Sequence, residues 1–156
     1  MLLVIDNGSI YTKNLLDFLN NKKISFEKQT PELFDLKSLS NYNSFILSGR
    51  RKNEKIINKI NSKIINHAIQ NDKKLLGICY GAEILALTLG GTIRKLVFPQ
   101  KGNEKINIQK ENLLFNDDLQ VFESHGFEIS KLPDILLVIG ESKNCKFEII
   151  QYDKKP

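Results

Sequence analysis

The chain has 156 residues, of which 41% are hydrophobic and 26% are charged, and it contains only two cysteines. This composition is that of one globular domain with enough residues to bury a core, and the cysteine count excludes a disulfide framework. The apolar run at the start, Leu2 to Ile5, is far shorter than the roughly 18 residues of a membrane span, so we expect a cytoplasmic protein that does not associate with membranes.

The positive charge does not predict a nucleic-acid partner. The formal net charge is +5 and the sequence pI is about 9.1. However, the arginines are only Arg50, Arg51 and Arg94, and the lysines are scattered among asparagines and isoleucines. Scattered lysines favour a solvated surface over a binding patch, so we expect no nucleic acid to bind.

The first half of the chain alternates between short apolar strands and amphipathic helices. We predict strands at Leu2–Ile5, Ile24–Lys28, Tyr42–Leu47 and Leu75–Ile78. Helical segments are predicted around Leu15–Leu19, as a loose turn at Leu33–Leu39, at about Asn53–Gln70 and at about Ala82–Leu89. This alternation is typical of a parallel sheet with helices on both faces, which is an α/β fold.

The second half lacks a long helical pattern. Strands separated by turns are predicted at Thr92–Val97, Lys105–Gln109, Leu119–Phe122, Ile135–Ile139 and Phe147–Tyr152. We therefore expect a mixed, partly antiparallel second half within a single domain spanning residues 1–156.

One cysteine lies at the corner between a predicted strand and a predicted helix. Gly77 and Gly81 flank Cys79 at two residues on either side, a spacing that allows a strand to turn sharply into a helix and present the central side chain. A thiol at a helix N-terminus is favoured as the thiolate, which is the nucleophilic form. The alternative is a buried structural cysteine, but that interpretation gives the paired glycines no purpose. Cys145 has no comparable setting.

The segment Gly77-Ile-Cys79-Tyr-Gly81-Ala-Glu83 resembles the nucleophile motif of class I glutamine amidotransferases, and most of all that of the glutaminase domain or subunit of GMP synthase. The resemblance implies a three-layer, flavodoxin-like fold and a catalytic role for Cys79. The family motif is Gly-x-Cys-x-Gly-x-Gln, and its glutamine helps to hold the substrate. Here Glu83 takes that place, and an ionised carboxylate accepts hydrogen bonds but donates none.

A thiolate that attacks an amide needs N–H donors for the developing oxyanion. Tyr80, directly after the nucleophile, is expected to supply one backbone N–H. The loop Leu47-Ser-Gly49-Arg50-Arg51 resembles the family's Ser-Gly-Gly-Pro loop and is expected to supply the second from Gly49 or Arg50. Arg50 and Arg51 replace the second glycine and the proline of the family pattern. In a simpler interpretation, Gly49 only ends a strand.

The segment Ser124-His125-Gly126 resembles the part of GMP synthase glutaminases that lines the glutamine pocket, in which this histidine is not the catalytic one. An aspartate usually follows in that family, whereas this chain has Phe127. His67 is assigned no role.

The family completes its catalytic triad with a His-x-Glu pair shortly after the position of Tyr152, and the sequence in hand runs to Pro156 without one. Three interpretations stay open. The sequence is a truncated copy, which we expect, or a natural variant without the base, or His125 acts as base with Glu123 or Glu128 orienting it.

The resemblance predicts an enzyme that hydrolyses glutamine through a cysteine thioester and supplies ammonia to an ATP-dependent synthetase subunit, the ATP pyrophosphatase of GMP synthase. No cofactor or metal is expected in this domain, and ATP and Mg²⁺ are expected only on the partner. The alternatives are a non-catalytic domain that binds glutamine or regulates, and a cysteine hydrolase acting on gamma-glutamyl peptides.

Overall fold

The structure is a computed structural model that describes residues 1–50 and 53–152. Arg51 of the predicted oxyanion loop, and the end of the chain from Asp153 to Pro156, lie outside the described residues. The chain divides into two compact units, Met1–Thr88 and Leu89–Pro156, and each is described by itself below.

The first unit is built on four short strands that run parallel. They are β1 (Leu2–Ile5), β2 (Phe26–Gln29), β3 (Ser44–Leu47) and β4 (Lys74–Gly77), and they lie side by side in the order β2-β1-β3-β4. This order reverses direction between β1 and β3. In open α/β sheets, the loops at the carboxyl ends of the strands around such a reversal form the crevice that binds ligands.

Three α-helices cover this sheet, namely α1 (Thr12–Asn21), α2 (Lys55–Gln70) and α3 (Tyr80–Thr88), and a 3₁₀ helix spans Leu36–Asn41. Leu3, Ile5, Phe45 and Leu47 pack on one face against α2, α3 and the residues around the 3₁₀ helix, whereas Val4 and Ile46 pack on the other face against α1. Successive strand residues point to opposite faces, and for this reason a continuous apolar strand needs helices on both sides.

The strand and helix types predicted for this unit are confirmed, with differences at the ends. β2 begins at Phe26 instead of Ile24, and the 3₁₀ helix lies three residues later at its start than the predicted turn. α3 begins at Tyr80, two residues earlier than predicted, because Cys79 alone makes the turn with a φ of 52°. No helix in the described part of the chain is long and apolar enough to cross a membrane.

The second unit is a curled antiparallel sheet of four strands in the order β6-β5-β7-β8. The strands are β5 (Thr92–Ile108), β6 (Leu119–Lys131), β7 (Leu136–Glu141) and β8 (Ile149–Tyr152). Its buried residues include Ile106, Ile129, Leu136, Ile139 and Cys145. The half for which the sequence predicts a mixed arrangement is antiparallel in every pairing of the described residues.

The prediction of two separate strands at Thr92–Val97 and Lys105–Gln109 is wrong, because both belong to β5. Pro99 and Gly102 favour a turn in isolation. The partner strand β6 pairs with β5 on both sides of these residues, and a register shift between Lys95 and Gln100 accommodates the proline. A bulge is one of the few places in a sheet where a residue without an N–H donor is tolerated.

Candidate functional site

Cys79 occupies the turn between β4 and α3 with its side chain exposed. Its carbonyl oxygen accepts the first hydrogen bonds of the helix, from the N–H of Ala82 at 2.9 Å and of Glu83 at 3.0 Å. The N–H of Tyr80 belongs to the first turn of α3, so it has no intrahelical acceptor and points out of the helix end. An exposed thiol and a backbone donor thus lie on neighbouring residues.

The two glycines around Cys79 leave no room for side chains. A Cβ atom on Gly77 would lie 2.5 Å from the carbonyl carbon of Gly81. A Cβ atom on Gly81 would lie 2.3 Å from the carbonyl oxygen of Leu47. Side chains at either position would therefore collide with backbone atoms, which cannot rotate away.

The loop after β3 lies beside the thiol. A Cβ atom on Gly49 would lie 3.7 Å from the Cβ of Cys79 and 3.3 Å from the hydroxyl of Ser9. Arg50 forms an isolated antiparallel bridge with Gly8 in the loop after β1. The loops that follow β1, β3 and β4 thus meet at the carboxyl edge of the sheet, where ligands bind in folds of this class.

Two buried asparagines brace this edge. The N–H of Asn7 donates to Ser48 Oγ, and its side-chain Nδ2 donates to the Ser48 carbonyl, both at 2.9 Å. Asn61 of α2, fully buried, donates to Asn7 Oδ1 at 2.8 Å and to the carbonyl of Ile57 at 2.8 Å. Sequence reasoning missed both residues. The available signal was one polar residue, Asn61, within the apolar stripe of α2.

Arg50 packs into a cluster of polar side chains next to the thiol. Its guanidinium carbon lies 4.2 Å from the centre of the Tyr80 ring, and Nη2 lies 3.9 Å from Glu83 Oε2. Nη1 donates to Asn58 Oδ1 at 3.1 Å, and the Tyr80 hydroxyl donates to the same oxygen at 2.7 Å. The side chains of Arg50 and Glu83 are each only 10% exposed, so their charges face one another largely out of water.

The Tyr80 ring lies against this charge pair. Burial raises the pKa of Tyr80 to about 12, and the negative charge of Glu83 adds to the rise while the positive charge of Arg50 opposes it. The phenol therefore stays neutral throughout the physiological range and acts as a hydrogen-bond donor to Asn58.

The predicted substrate residues Ser124, His125 and Gly126 lie in β6 of the second unit. Nδ1 of His125 lies 2.7 Å from the carbonyl oxygen of Phe127, which accepts only, so this nitrogen carries the proton. Nε2 of His125 lies 3.4 Å from Glu123 Oε2. Glu128 instead accepts from Arg94 Nε at 2.6 Å, so of the two glutamates considered as partners it is Glu123 that faces the imidazole.

Glu148, which immediately precedes β8, completes the surroundings of this histidine. One ligand atom from each of Glu123, His125 and Glu148 lies within 4.8 Å of the others. Glu148 Oε1 accepts from the Ser142 hydroxyl at 2.6 Å. Burial raises the pKa of Glu148 to about 7, with a further contribution from the negative charge of Glu123.

The second cysteine, Cys145, is buried. Burial raises the pKa of its thiol to about 12, so this thiol is not a nucleophile at neutral pH.

The family described as glutamine amidotransferase class-I matches residues 3–156 of this sequence. The chain belongs to this amidotransferase family. The match runs across both compact units, from the first strand through β8.

The curated relatives of this amidotransferase include components of GMP synthase. One such component of glutamine-hydrolysing GMP synthase, from Methanocaldococcus jannaschii, is 27% identical over 161 aligned residues, which cover 100% of this chain and 83% of that protein. The equivalent component from Thermoplasma acidophilum is 26% identical and is covered to 78%. The GMP synthase of Borreliella burgdorferi is 32% identical over 152 residues, but this chain spans only 29% of it.

Solved structures show the same fold. A Thermoplasma acidophilum protein assigned as one component of GMP synthase superimposes with a TM-score of 0.85 at 23% identity, covering 99% of this chain and 79% of the other. A glutamine amidotransferase from Thermotoga maritima gives 0.81 at 23% identity, covering 98% and 71%. The predicted α/β fold of class I glutamine amidotransferases is thereby confirmed.

Two departures of this amidotransferase from its family's motifs contact each other. Glu83 stands where the nucleophile motif has glutamine, and Arg50 stands where the oxyanion loop has its second glycine. The structure brings the two side chains to 3.9 Å. A charge introduced at one position is therefore balanced by an opposite charge at the other.

Proposed function

We propose that this chain is the glutamine-hydrolysing part of a GMP synthase. The observation that carries the proposal is the exposed thiol of Cys79 at the sharp turn before α3, with the Gly49 loop beside it. The relatives named as components of GMP synthase support the choice of this enzyme among amidotransferases. The family match across residues 3–156 supports one amidotransferase domain made of both units.

In the proposed reaction, the Cys79 thiolate attacks the side-chain amide carbon of glutamine. The negative charge that develops on the amide oxygen is held by the N–H of Tyr80 and by an N–H of Gly49 or Arg50. The carbon–nitrogen bond then breaks, the nitrogen leaves as ammonia after taking up a proton, and a thioester remains. Water hydrolyses the thioester to glutamate and restores the thiol.

Glu83 is proposed to accept a hydrogen bond from the substrate's ammonium group. An ionised carboxylate suits that task, and the Arg50 guanidinium at 3.9 Å favours its ionised form. From the family resemblance, Ser124, His125 and Gly126 of the second unit are proposed to take part in binding glutamine.

Ammonia released by Cys79 is proposed to pass to an ATP-dependent synthetase that aminates XMP to GMP. ATP and Mg²⁺ would bind on that partner, and the pair would act in the cytoplasm. Addition of an ATP-dependent synthetase to this chain should give GMP from glutamine, XMP and ATP. Formation of GMP from free ammonia but not from glutamine would contradict this role.

The test of the thiol uses 6-diazo-5-oxo-L-norleucine, a glutamine analogue that alkylates nucleophilic cysteines. We expect mass spectrometry to find the label on Cys79 and not on buried Cys145, and excess glutamine to protect Cys79. The D-enantiomer of the reagent is the control, because general thiol reactivity would not distinguish the two forms. Labelling of neither cysteine, or equal labelling by both enantiomers, would contradict a glutaminase site.

The Arg50–Glu83 pair favours one second candidate, a domain that binds glutamine without hydrolysing it. A carboxylate that is already paired is less available to orient a substrate for attack. Calorimetry that detects glutamine binding, together with an ammonia assay that detects no release, would choose this function over the first.

A further inference from the structure

The group formed by Glu123, His125 and Glu148 in the second unit has unfilled hydrogen-bonding capacity. Among the described residues, four buried side-chain N or O atoms lack a hydrogen-bond partner, and three of them are Glu123 Oε2, His125 Nε2 and Gln100 Nε2. Gln100 lies directly opposite His125 in the β5–β6 pairing, so its side chain is on the same face of the sheet. Native proteins rarely leave such atoms unpaired, and several in one place suit the binding of an ion.

The protonation of His125 determines what that ligand can be. Nδ1 donates its proton to the carbonyl of Phe127, so the neutral ring presents a lone pair at Nε2. That lone pair faces a carboxylate oxygen of Glu123 at 3.4 Å, and the Glu123 side chain is 9% exposed. With the imidazole neutral, this nitrogen and this carboxylate oxygen are two acceptors that a single cation can bind together. A hydrogen bond from Nδ1 to a backbone carbonyl is also the usual way in which proteins orient a metal-binding histidine.

The charges favour a divalent cation. Glu123 and Glu148 bring two carboxylates into a partly buried space, and the ligand atoms of both and of His125 lie within 4.8 Å of one another. Two like charges in such a place repel, and a divalent cation offsets both. The Ser142 hydroxyl, which donates to Glu148 Oε1, leaves the second oxygen of that carboxylate to bind.

We propose that Glu123, His125 and Glu148 form a site for a first-row transition-metal ion, represented by Zn²⁺. Imidazole nitrogen and carboxylate oxygen are both ligands that Zn²⁺ accepts, whereas Mg²⁺ prefers oxygen ligands alone. Gln100 is placed to supply a further oxygen once its amide is turned, since the nitrogen and oxygen of an amide are assigned from their partners. This site departs from the expectation that the domain holds no metal.

The test is isothermal titration calorimetry of metal-free protein with Zn²⁺ in a Cys79→Ser background, which removes the exposed thiol as a competing ligand. We expect one equivalent of Zn²⁺ to bind and H125Q and E148Q each to weaken binding by about tenfold or more. His67→Asn is the matched control, because His67 is the one other histidine of the sequence, and it should leave the affinity unchanged.

Two further measurements keep the outcome clear if one variant folds poorly. Zn²⁺ should raise the melting temperature of the parent protein but not that of E123Q, because only a bound ion stabilises the folded state. Co²⁺ should give a visible absorption band that H125Q abolishes. Zn²⁺ binding that is absent, that survives both H125Q and E148Q, or that Mg²⁺ displaces at equal concentration would overturn the proposal. None of these readouts depends on glutamine, so a failed glutaminase assay leaves them decisive.

Discussion

Cys79 adopts a backbone conformation that suits glycine better than cysteine. Its φ is 52°, in the left-handed region, where a Cβ atom is crowded by the following carbonyl at a cost of roughly 1 to 2 kcal/mol. The turn from β4 to α3 demands this conformation whichever residue occupies the corner. The thiol is therefore kept at a site where it lowers stability, which is common for residues that act in function.

Replacing this residue should separate the backbone strain from the thiol. We expect Cys79→Gly to be more stable than Cys79→Ala by about 0.5 to 1 kcal/mol in urea unfolding, after the greater freedom of glycine in the unfolded chain is subtracted. Ala82→Gly, inside the same helix, is the control and should lose about 1 kcal/mol. A glycine variant at position 79 that is the less stable of the two would show that the turn is not strained.

The Arg50–Glu83 pair permits a test of mutual dependence. R50M takes the guanidinium away from a nearly buried carboxylate, and E83Q takes the carboxylate away from a nearly buried guanidinium. The losses of unfolding free energy in the two single variants should therefore add up to more than the loss in the double variant. We expect a coupling of about 0.5 to 3 kcal/mol from a double-mutant cycle of unfolding free energies.

The exposed pair Lys13–Asp17 is the comparison for this cycle. Its atoms are closer, at 2.6 Å, but its side chains are 81% and 53% exposed. K13M and D17N should therefore couple by only about 0.3 to 0.5 kcal/mol. Equal coupling in the two cycles would mean that burial does not strengthen the Arg50–Glu83 pair.

At the residue scale, sequence reasoning could identify local features but not side-chain partners. The glycines around Cys79 lie within two residues of it, so a short motif contains the whole steric argument. The contacts of Arg50 with Asn58 and Glu83 join residues that no local spacing relates to one another. The same is true of Glu148, which approaches Glu123 only because β5, β6, β7 and β8 form one sheet.

Among the elements, helix α2 does more than cover the sheet. Its Ile57, Ile60, Ile64 and Ile65 fill the core, while Asn61 on the same buried side reaches Asn7 in the loop after β1. Through Asn7, the helix fixes the backbone of Ser48, one residue before Gly49. The position of the loop beside Cys79 therefore depends on a residue in the middle of α2.

Asn61→Ala should expose that dependence. The change leaves the buried side chain of Asn7 without one partner and opens a small cavity, which should cost about 1 to 3 kcal/mol of unfolding free energy. Asn66→Ala, on the exposed side of the same helix, should change stability by less than about 0.5 kcal/mol. If the two variants are equally stable, Asn61 does not brace the loop.

The type of an element could be predicted from the sequence where one hydrophobic period dominates the segment. The alternation of apolar strands with helices of period 3.6 predicts the parallel unit because each element there is short and uniform. The sequence predicts two strands in place of β5 because local patterns do not include the pairing with β6, which resumes at Gln100 after the register shift and takes in Gly102. Pairing between distant segments outweighed the local turn preference.

At the scale of the whole molecule, alkaline pH should unfold the protein partly through Tyr80. Its pKa is raised to about 12 in the folded state, against about 10 in an unfolded chain. Burial stabilises the neutral phenol, so the contribution of Tyr80 to stability is fully present below about pH 10. Above about pH 10 the phenol of the unfolded chain loses its proton, while the buried phenol keeps its proton until about pH 12. The free energy of unfolding therefore falls between these two pH values.

Comparison with a variant isolates this contribution, because other groups titrate in the same range. The stability of the parent protein should fall relative to that of Tyr80→Phe between pH 9 and 12, as measured by urea unfolding at each pH. Parallel pH profiles for the parent and Tyr80→Phe would contradict the assignment.

The two edges of the parallel sheet differ in chemistry. β2 carries Glu27, Lys28 and Gln29, and such polar and charged side chains discourage another chain from adding a strand there. β4, at the opposite edge of the described sheet, carries Leu76 with 51% of its surface exposed. An apolar edge strand favours pairing with another chain, so we expect concentrated solutions of this chain to associate through β4 in preference to β2.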